Sequence, residues 1–141
     1  PANLKLSNLS TGSADLTALQ FKSNSISSLS CMHTIEHIGL GRYGDELDPD
    51  GDLKAIGELK RVLAMDGTLL IVVPIGKSKI IFNAHRIYSY EQVLSYFQDL
   101  TLKEFALLPD PKKGDELVYN PAMKFCEQQK YACGCFWFNK K

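Results

Sequence analysis

The chain has 141 residues, with sixteen basic and sixteen acidic side chains that cancel, so no basic surplus points to nucleic acid. Its 45% hydrophobic content suits one globular domain with a core of its own, and its longest apolar run, residues 68–75, is far too short to span a bilayer. Cys31, Cys126, Cys133 and Cys135 form no CxxC pair and read as free buried thiols of a reducing, cytoplasmic setting rather than as disulfides or zinc ligands.

The sequence opens on Pro1, so a processed chain, or a piece of a longer one, is expected. Leu4, Leu6 and Leu9 suggest a short extended stretch over residues 4–10, followed by a turn at Thr11-Gly12-Ser13. Residues 15–21 read as a loop anchored by Leu19, and residues 25–32 as a buried strand. Residues 33–38 can form a single helical turn, and a glycine- and aspartate-rich loop covers residues 39–52. Asp52 is a good N-cap for a helix whose apolar side Leu53, Ile56, Leu59, Val62 and Leu63 mark at helical spacing. Gly67 is expected to end that helix in a tight turn, and residues 68–73 to form a buried strand stopped by Pro74.

Residues 76–86 read as a loop with an apolar insert, Ile80-Ile81-Phe82. Ser89 and Gln92 spell a capping box for a helix over residues 90–98. A strand over residues 100–108, with Leu102 and Phe105 inward, leads to a proline- and charge-rich loop over residues 109–121. A helical turn or two follows within residues 122–129, and then a last strand over residues 131–138. The alternation of strand and helix predicts an α/β fold with a mostly parallel sheet. The last two strands lack a full crossover helix between them and should pair antiparallel.

Several of these segments resemble, in order, class I S-adenosylmethionine (SAM) methyltransferases. Ala14-Asp15-Leu16-Thr17-Ala18-Leu19-Gln20-Phe21 resembles the D-a-x-x-L-P-F segment after the third strand of that family. Ser25-Ile26-Ser27-Ser28-Leu29-Ser30 resembles its next strand, s-F-D-x-V, with Ser27 where the aspartate stands. Met32-His33-Thr34-Ile35-Glu36-His37-Ile38 resembles the v-L-E-H-x turn, and residues 52–74, with Arg61-Val62-Leu63-Ala64-Met65-Asp66-Gly67, resemble the helix and fifth strand. The run His37-Ile38-Gly39-Leu40-Gly41-Arg42-Tyr43-Gly44-Asp45, with Phe82-Asn83-Ala84-His85-Arg86, looks like a set of uncharacterised methyltransferase-like proteins grouped as a domain of unknown function.

The resemblance implies a Rossmann-like domain, the C-terminal part of such an enzyme. The family's first strand, its glycine loop and its second strand have no counterpart here. A partner chain, a second copy in a homodimer or an upstream segment is therefore expected to complete the sheet, unless residues 4–10 slide into the vacant place. With that loop supplied, the implied cofactor is SAM and the acceptor a small molecule; neither nucleic acid nor a membrane is an expected partner. Asp15 would accept from the adenine amino group and Leu16 would pack on the ring. Cys31 and Met32 would form the backbone edge beside the methyl donor. His33, Glu36, His37 and His85 are the candidate catalytic residues, His85 as a proton acceptor. Arg42, Tyr43, Asn83 and Arg86 are the candidate acceptor contacts.

Other motifs give competing readings. Gly39-x-Gly41-x-x-Gly44 matches a dinucleotide fingerprint in letters only, because acidic residues and Pro49 follow where a helix should open. Asp48-Pro49-Asp50-Gly51-Asp52 resembles part of a calcium loop but reads better as a turn into a helix. His33-x-x-Glu36-His37 spells H-x-x-E-H, which on a regular helix could hold zinc for a hydrolase; no metal ligand is assigned from it. A non-catalytic methyltransferase-fold remnant that binds a partner is the remaining alternative.

Overall fold

The computed structural model describes residues 7–141, so Leu4 and Leu6 of the first expected stretch lie outside the described residues. Residues 7–8 form a turn and Leu9 is exposed. The loop over residues 15–21 is tied down from a distance. Glu58 accepts the Leu19 N–H at 2.8 Å, and Arg61 donates to the carbonyls of Leu19 and Phe21 at 2.8 and 2.9 Å.

Strand β1 (Ile26–Met32) runs parallel to β2 (Leu63–Ile75), and helix α1 (Gly51–Val62) lies between them in sequence. Of β1 only Cys31 is buried; the expected buried strand is half exposed because β1 lies at the edge of the sheet among the described residues. Helix α1 forms where the apolar spacing predicts it and buries Ala55, Ile56, Leu59 and Val62. Asp52 is not its cap: Asp50 holds that position, with no side-chain cap bond, and Asp52 is buried in the first turn. Lys60 and Arg61 place positive charge at the last turn, where the helix dipole favours it.

Two boundaries differ from expectation. The chain passes from α1 into β2 at Leu63, well before Gly67, and the offset between β1 and β2 there marks a bulge. Asp66 takes a left-handed φ of 59° beside Gly67. Nor does Pro74 stop the strand. It sits opposite Cys133, and its carbonyl accepts the Tyr88 N–H at 3.0 Å, so only the hydrogen bond that proline cannot donate is lost.

The expected loop after β2 contains a hairpin, β3 (Lys79–Ile81) with β4 (His85–Ile87). Helix α2 (Tyr90–Tyr96) opens on the predicted capping box, with both Ser89 and Gln92 bonds formed. Then come β5 (Thr101–Leu108), the short β6 (Val118–Tyr119), α3 (Met123–Glu127) and β7 (Ala132–Asn139). The sheet order is β1-β2-β7-β5-β6. Strands β1, β2 and β5 run one way, and β7 lies antiparallel between β2 and β5. This is the α/β, Rossmann-like arrangement that the strand and helix order predicts.

The two faces of the sheet differ. Leu69, Ile71, Val73 and Ile75 of β2, with Phe136 and Phe138 of β7, turn toward α1 and α2 and form the core with Leu59, Val93, Phe97 and Phe105. The alternate residues line the other face. Met32, Leu70 and Trp137 are exposed there, at 63%, 43% and 41%, and share a shallow groove with Val72, Glu104 and Cys135.

Candidate functional site

The loops at the carboxyl ends of parallel strands are where open α/β sheets place ligands. At the end of β1 the backbone turns sharply: His33 takes a left-handed φ of 49°, which is uncommon for a bulky side chain. The turn ends in a short 3-10 segment, Ile35–His37. His33, Glu36 and His37 therefore do not lie on a regular helix, as the zinc reading of H-x-x-E-H requires. Among the described residues no group of three His, Cys, Asp or Glu is placed to hold a metal ion.

Glu36 is 1% exposed and organises the turn. Its Oε1 lies 3.1 Å from His33 Nδ1 and 3.7 Å from His37 Nε2. Its Oε2 is buried with no partner. His37 Nδ1 donates to the Ala84 carbonyl at 2.6 Å, which fixes the ring and directs Nε2 toward Glu36. The β3–β4 hairpin that supplies Ala84 also carries His85. The His85 ring centroid lies 6.2 Å from that of His37 and 5.0 Å from that of Tyr131. Burial, then the neighbouring His37, lowers the His85 pKa, and its Nε2 is buried without a partner. Four of the predicted residues, drawn from two separate segments, thus converge on one cluster. Two orphaned polar atoms in it suit a polar ligand.

Tyr43 packs edge-on against His37 at 5.6 Å, and the Arg42 guanidinium lies 5.6 Å from the Tyr43 ring centre. Tyr43 is otherwise exposed. Asn83 is exposed and takes a φ of 54° in the hairpin turn, a conformation asparagine tolerates well.

Arg86 is not an acceptor contact, as its position after β3 suggests, but a buried side chain. Strand alternation sends it away from His85 and into the protein, where it is 4% exposed. It donates to the carbonyls of Ile38 at 2.6 Å and Pro49 at 3.0 Å, and its Nε lies 3.3 Å from Asp52 Oδ2. It clamps both ends of the glycine-rich loop rather than meeting a substrate. Asp52 also accepts the Tyr88 hydroxyl at 3.0 Å.

Within that loop the Asp45 carboxylate accepts the N–H groups of Gly39, Gly41 and Tyr43. Burial opposes its charge, but these donors hold its pKa below the usual range. The loop is therefore an ordered turn around a carboxylate, not a phosphate cradle. Gly39 has a φ of +78°, and a Cβ on it would collide with the Asp48 carbonyl. Gly39→Ala is expected to cost about 2 kcal/mol or more. Gly44→Ala, with similar φ but open space around it, is expected to cost about 1–2 kcal/mol. Urea denaturation of both variants checks this; equal losses would show that the approach to Asp48 is unimportant.

Asp15 stands across this loop. Its Oδ1 accepts the Thr17 N–H at 2.8 Å and the Thr17 hydroxyl at 2.7 Å, and these two bonds lower its pKa. It lines a cavity of about 430 Å³ with Ile38, Gly39, Asp45, Gly51 and Lys54, a volume in the range of small-molecule sites. Leu16 is half buried beside the core. Cys31 points into the core, where burial raises its thiol pKa, whereas the Met32 side chain is exposed.

Cys133 and Cys135 were expected to be buried, but both are partly exposed. Cys133 Sγ lies 3.5 Å from His33 Nε2. That histidine stands one hundred positions away in the sequence. No local signal encodes that contact.

Residues 9–99 match the family described as Caenorhabditis protein of unknown function, DUF268. No curated protein matches the sequence. Among solved structures, a SAM-dependent methyltransferase from Thermotoga maritima superposes with a TM-score of 0.55 at 14% identity, covering 89% of this chain and 61% of that one. The 1,6-didemethyltoxoflavin-N1-methyltransferase of Burkholderia thailandensis, solved with 1,6-didemethyltoxoflavin and S-adenosylhomocysteine, gives 0.61 at 13% identity, covering 89% and 48%. A Haloferax volcanii methyltransferase in complex with a methyltransferase activator gives 0.55 at 13% identity, covering 89% and 59%. The chain thus spans about half to three fifths of the length of these structures, and at such identities the likeness shows the fold.

Proposed function

Because the chain belongs to the DUF268 family, described as Caenorhabditis protein of unknown function, and carries the fold of SAM-dependent methyltransferases, we propose that it serves methyl transfer from SAM to a small acceptor. The observation that carries this reading is the cluster of His33, Glu36, His37 and His85 at the carboxyl end of β1, with Glu36 Oε2 and His85 Nε2 buried and unpartnered.

The residues present fit the nucleoside side of the cofactor. Asp15 and the acidic loop supply hydrogen-bond acceptors around a cavity of suitable size, which suits an amino group and ribose hydroxyls. Leu16 would offer an apolar surface to the ring, and residues 31–32 the backbone edge. SAM, when bound, supplies an electrophilic methyl group. The chain's own residues would do the rest. Arg42, Tyr43 and Asn83 would orient the acceptor, and His33, His37 or His85 would take up its proton, with buried Glu36 steadying the charge that develops. Arg86 would keep the loop shut around the site.

Among the described residues the outer edge of β1 is unpaired, an arrangement proteins usually cover. A partner chain or an upstream segment with a further strand and glycine loop would complete both the sheet and the cofactor cleft, and a second copy would complete the sheet. The free cysteines suit a reducing, cytoplasmic setting, and no helix among the described residues is long and apolar enough to cross a membrane.

Calorimetric titration with S-adenosylhomocysteine tests the reading. Saturable binding, weakened about tenfold or more by Asp15→Ala, is expected. Heats equal to dilution both for this chain at every concentration and for a version extended upstream, where the gene encodes one, would sink it and leave a methyltransferase fold used for binding a partner.

A further inference from the structure

Where β7 begins, Cys133 stands across from Pro74 of β2 on one side and Leu108 of β5 on the other. Its Sγ lies 3.5 Å from His33 Nε2, and His33 Nδ1 lies 3.1 Å from Glu36 Oε1. The carboxylate accepts from Nδ1, so Nε2 of the neutral ring is left as the acceptor facing the thiol. Thiol, imidazole and carboxylate in that order are the arrangement that activates a sulfur nucleophile. The two ends of this row have different surroundings. Glu36 is 1% exposed and fixes the ring, whereas Cys133 is partly exposed and the His33 side chain is 45% exposed, so a small molecule can reach the sulfur. The His33 backbone is left-handed, with a φ of 49°, an unfavourable conformation kept at the point where the three groups meet.

We propose that Cys133, His33 and Glu36 form a base-assisted thiol site that captures a small activated alkene, an α,β-unsaturated carbonyl compound, as a thioether on Cys133. The three groups supply one sulfur nucleophile and one transferable proton, and addition across an activated C=C bond consumes both. The Cys133 proton passes to His33 Nε2. A bond forms between Sγ and the β-carbon as the C=C π bond breaks toward the α-carbon. His33 then gives the proton to the α-carbon. The step needs no oxidant and has no leaving group.

Cys135 and Tyr131 flank the sulfur, two positions to either side. Glu104 of β5 lies further along, in the groove that Cys135 shares with Met32, Leu70 and Trp137. Cys135, burial and the Glu36 carboxylate all raise the Cys133 pKa. A free thiolate is therefore not its resting form, and its reactivity depends on the adjacent imidazole taking the proton. Glu36 stabilises the imidazolium that results, so it acts on the sulfur through His33 as a positioning residue. Cys133 in turn lowers Cys135. Neighbouring thiols share one titration, so the identity of the modified sulfur decides between them.

Treatment of the folded chain with acrylamide from pH 6 to 9, with each cysteine followed by mass spectrometry, tests this. The Cys133 adduct is expected to form first. At pH 7 its rate should exceed that of an unstructured single-cysteine peptide about fivefold, because a free thiol is only a few per cent ionised there and the gain in thiolate outweighs its lower nucleophilicity. The advantage should fade toward pH 9, where the peptide ionises unaided. Cys133→Ser should remove the adduct. His33→Asn, which tolerates the left-handed backbone, should slow it about fivefold or more at pH 7 and much less at pH 9. Glu36→Gln should slow it with the same pH dependence by a smaller factor. Buried Cys31 and Cys126 should stay unmodified in each variant and report on folding; the wild-type comparison decides even where a variant unfolds. A Cys135 adduct that outpaces Cys133, a wild-type rate at pH 7 no higher than the peptide's, or an undiminished Cys133 rate in His33→Asn would overturn the proposal. The outcome is independent of methyl transfer, because S-adenosylhomocysteine plays no part in the readout.

Discussion

Arg86→Ala is expected to destabilise the fold by about 3–5 kcal/mol, because removing one member of a buried ion pair leaves the other charge without compensation. Asp52 would remain buried with the Tyr88 hydroxyl as its remaining side-chain partner, and the Ile38 and Pro49 carbonyls would lose their donor. Burial already raises the Asp52 pKa, even against the positive charge of Arg86. A carboxyl whose folded pKa lies above its unfolded value binds protons more readily when folded, so its charge weighs against the fold at neutral pH and is relieved as pH falls through that raised value. The gap between wild type and Arg86→Ala should therefore narrow on acidification toward the carboxylate range. In the double variant Arg86→Met with Asp52→Asn, which buries no charge, part of the loss should be recovered. Urea denaturation at neutral and acidic pH measures all of this. A loss under about 1 kcal/mol at neutral pH would mean that Arg86 is not a clamp and restore it as a substrate contact.

Phe136→Ala should have an effect of similar size for a different reason. Phe136 lies at the centre of an aromatic group. Its ring centre is 4.6 Å from Phe105, 6.0 Å from Tyr90 and 5.9 Å from Phe138, and the side chain is 2% exposed. Truncation removes the buried surface and leaves a cavity bounded by strands that cannot collapse, a loss of about 3–5 kcal/mol. In a domain of this size that corresponds to a fall in Tm of roughly 10 °C or more. Trp137→Ala, on the uncovered face, should cost far less. Thermal unfolding of the pair decides it, and equal shifts would mean that the two faces of β7 are equally packed.

Where local pattern determines local structure, the fold was legible. Ile56, Leu59 and Val62 at helical spacing mark α1, and Ser89 and Gln92 mark the start of α2. The β3–β4 hairpin left no such trace, because β3 and the turn residues Phe82 and Asn83 are all exposed and nothing in the composition demands alternation. Pro74 misled because a proline ends a strand only where its missing N–H would have been used. In the site, His33, Glu36 and His37 were legible because they share one turn. Arg86 was not, because its burial depends on carbonyls 48 and 37 positions away. Cys133 was not, because its histidine is one hundred positions away.

The placement of β7 between β2 and β5 governs how the protein is made as well as how it is held. Strands β2 and β5 never touch edge to edge; β7 stands between them and pairs with both. While residues 132–139 are still within the ribosome, the emerging chain can assemble β1, α1 and β2, but β5 can pair only with β6 and cannot join the β1–β2 unit. Leu69, Ile71 and Phe105 then wait for Phe136 and Phe138 to complete their core. Assembly of the sheet is thus a late, long-range event, the kind that slows folding and leaves sticky edges exposed during synthesis.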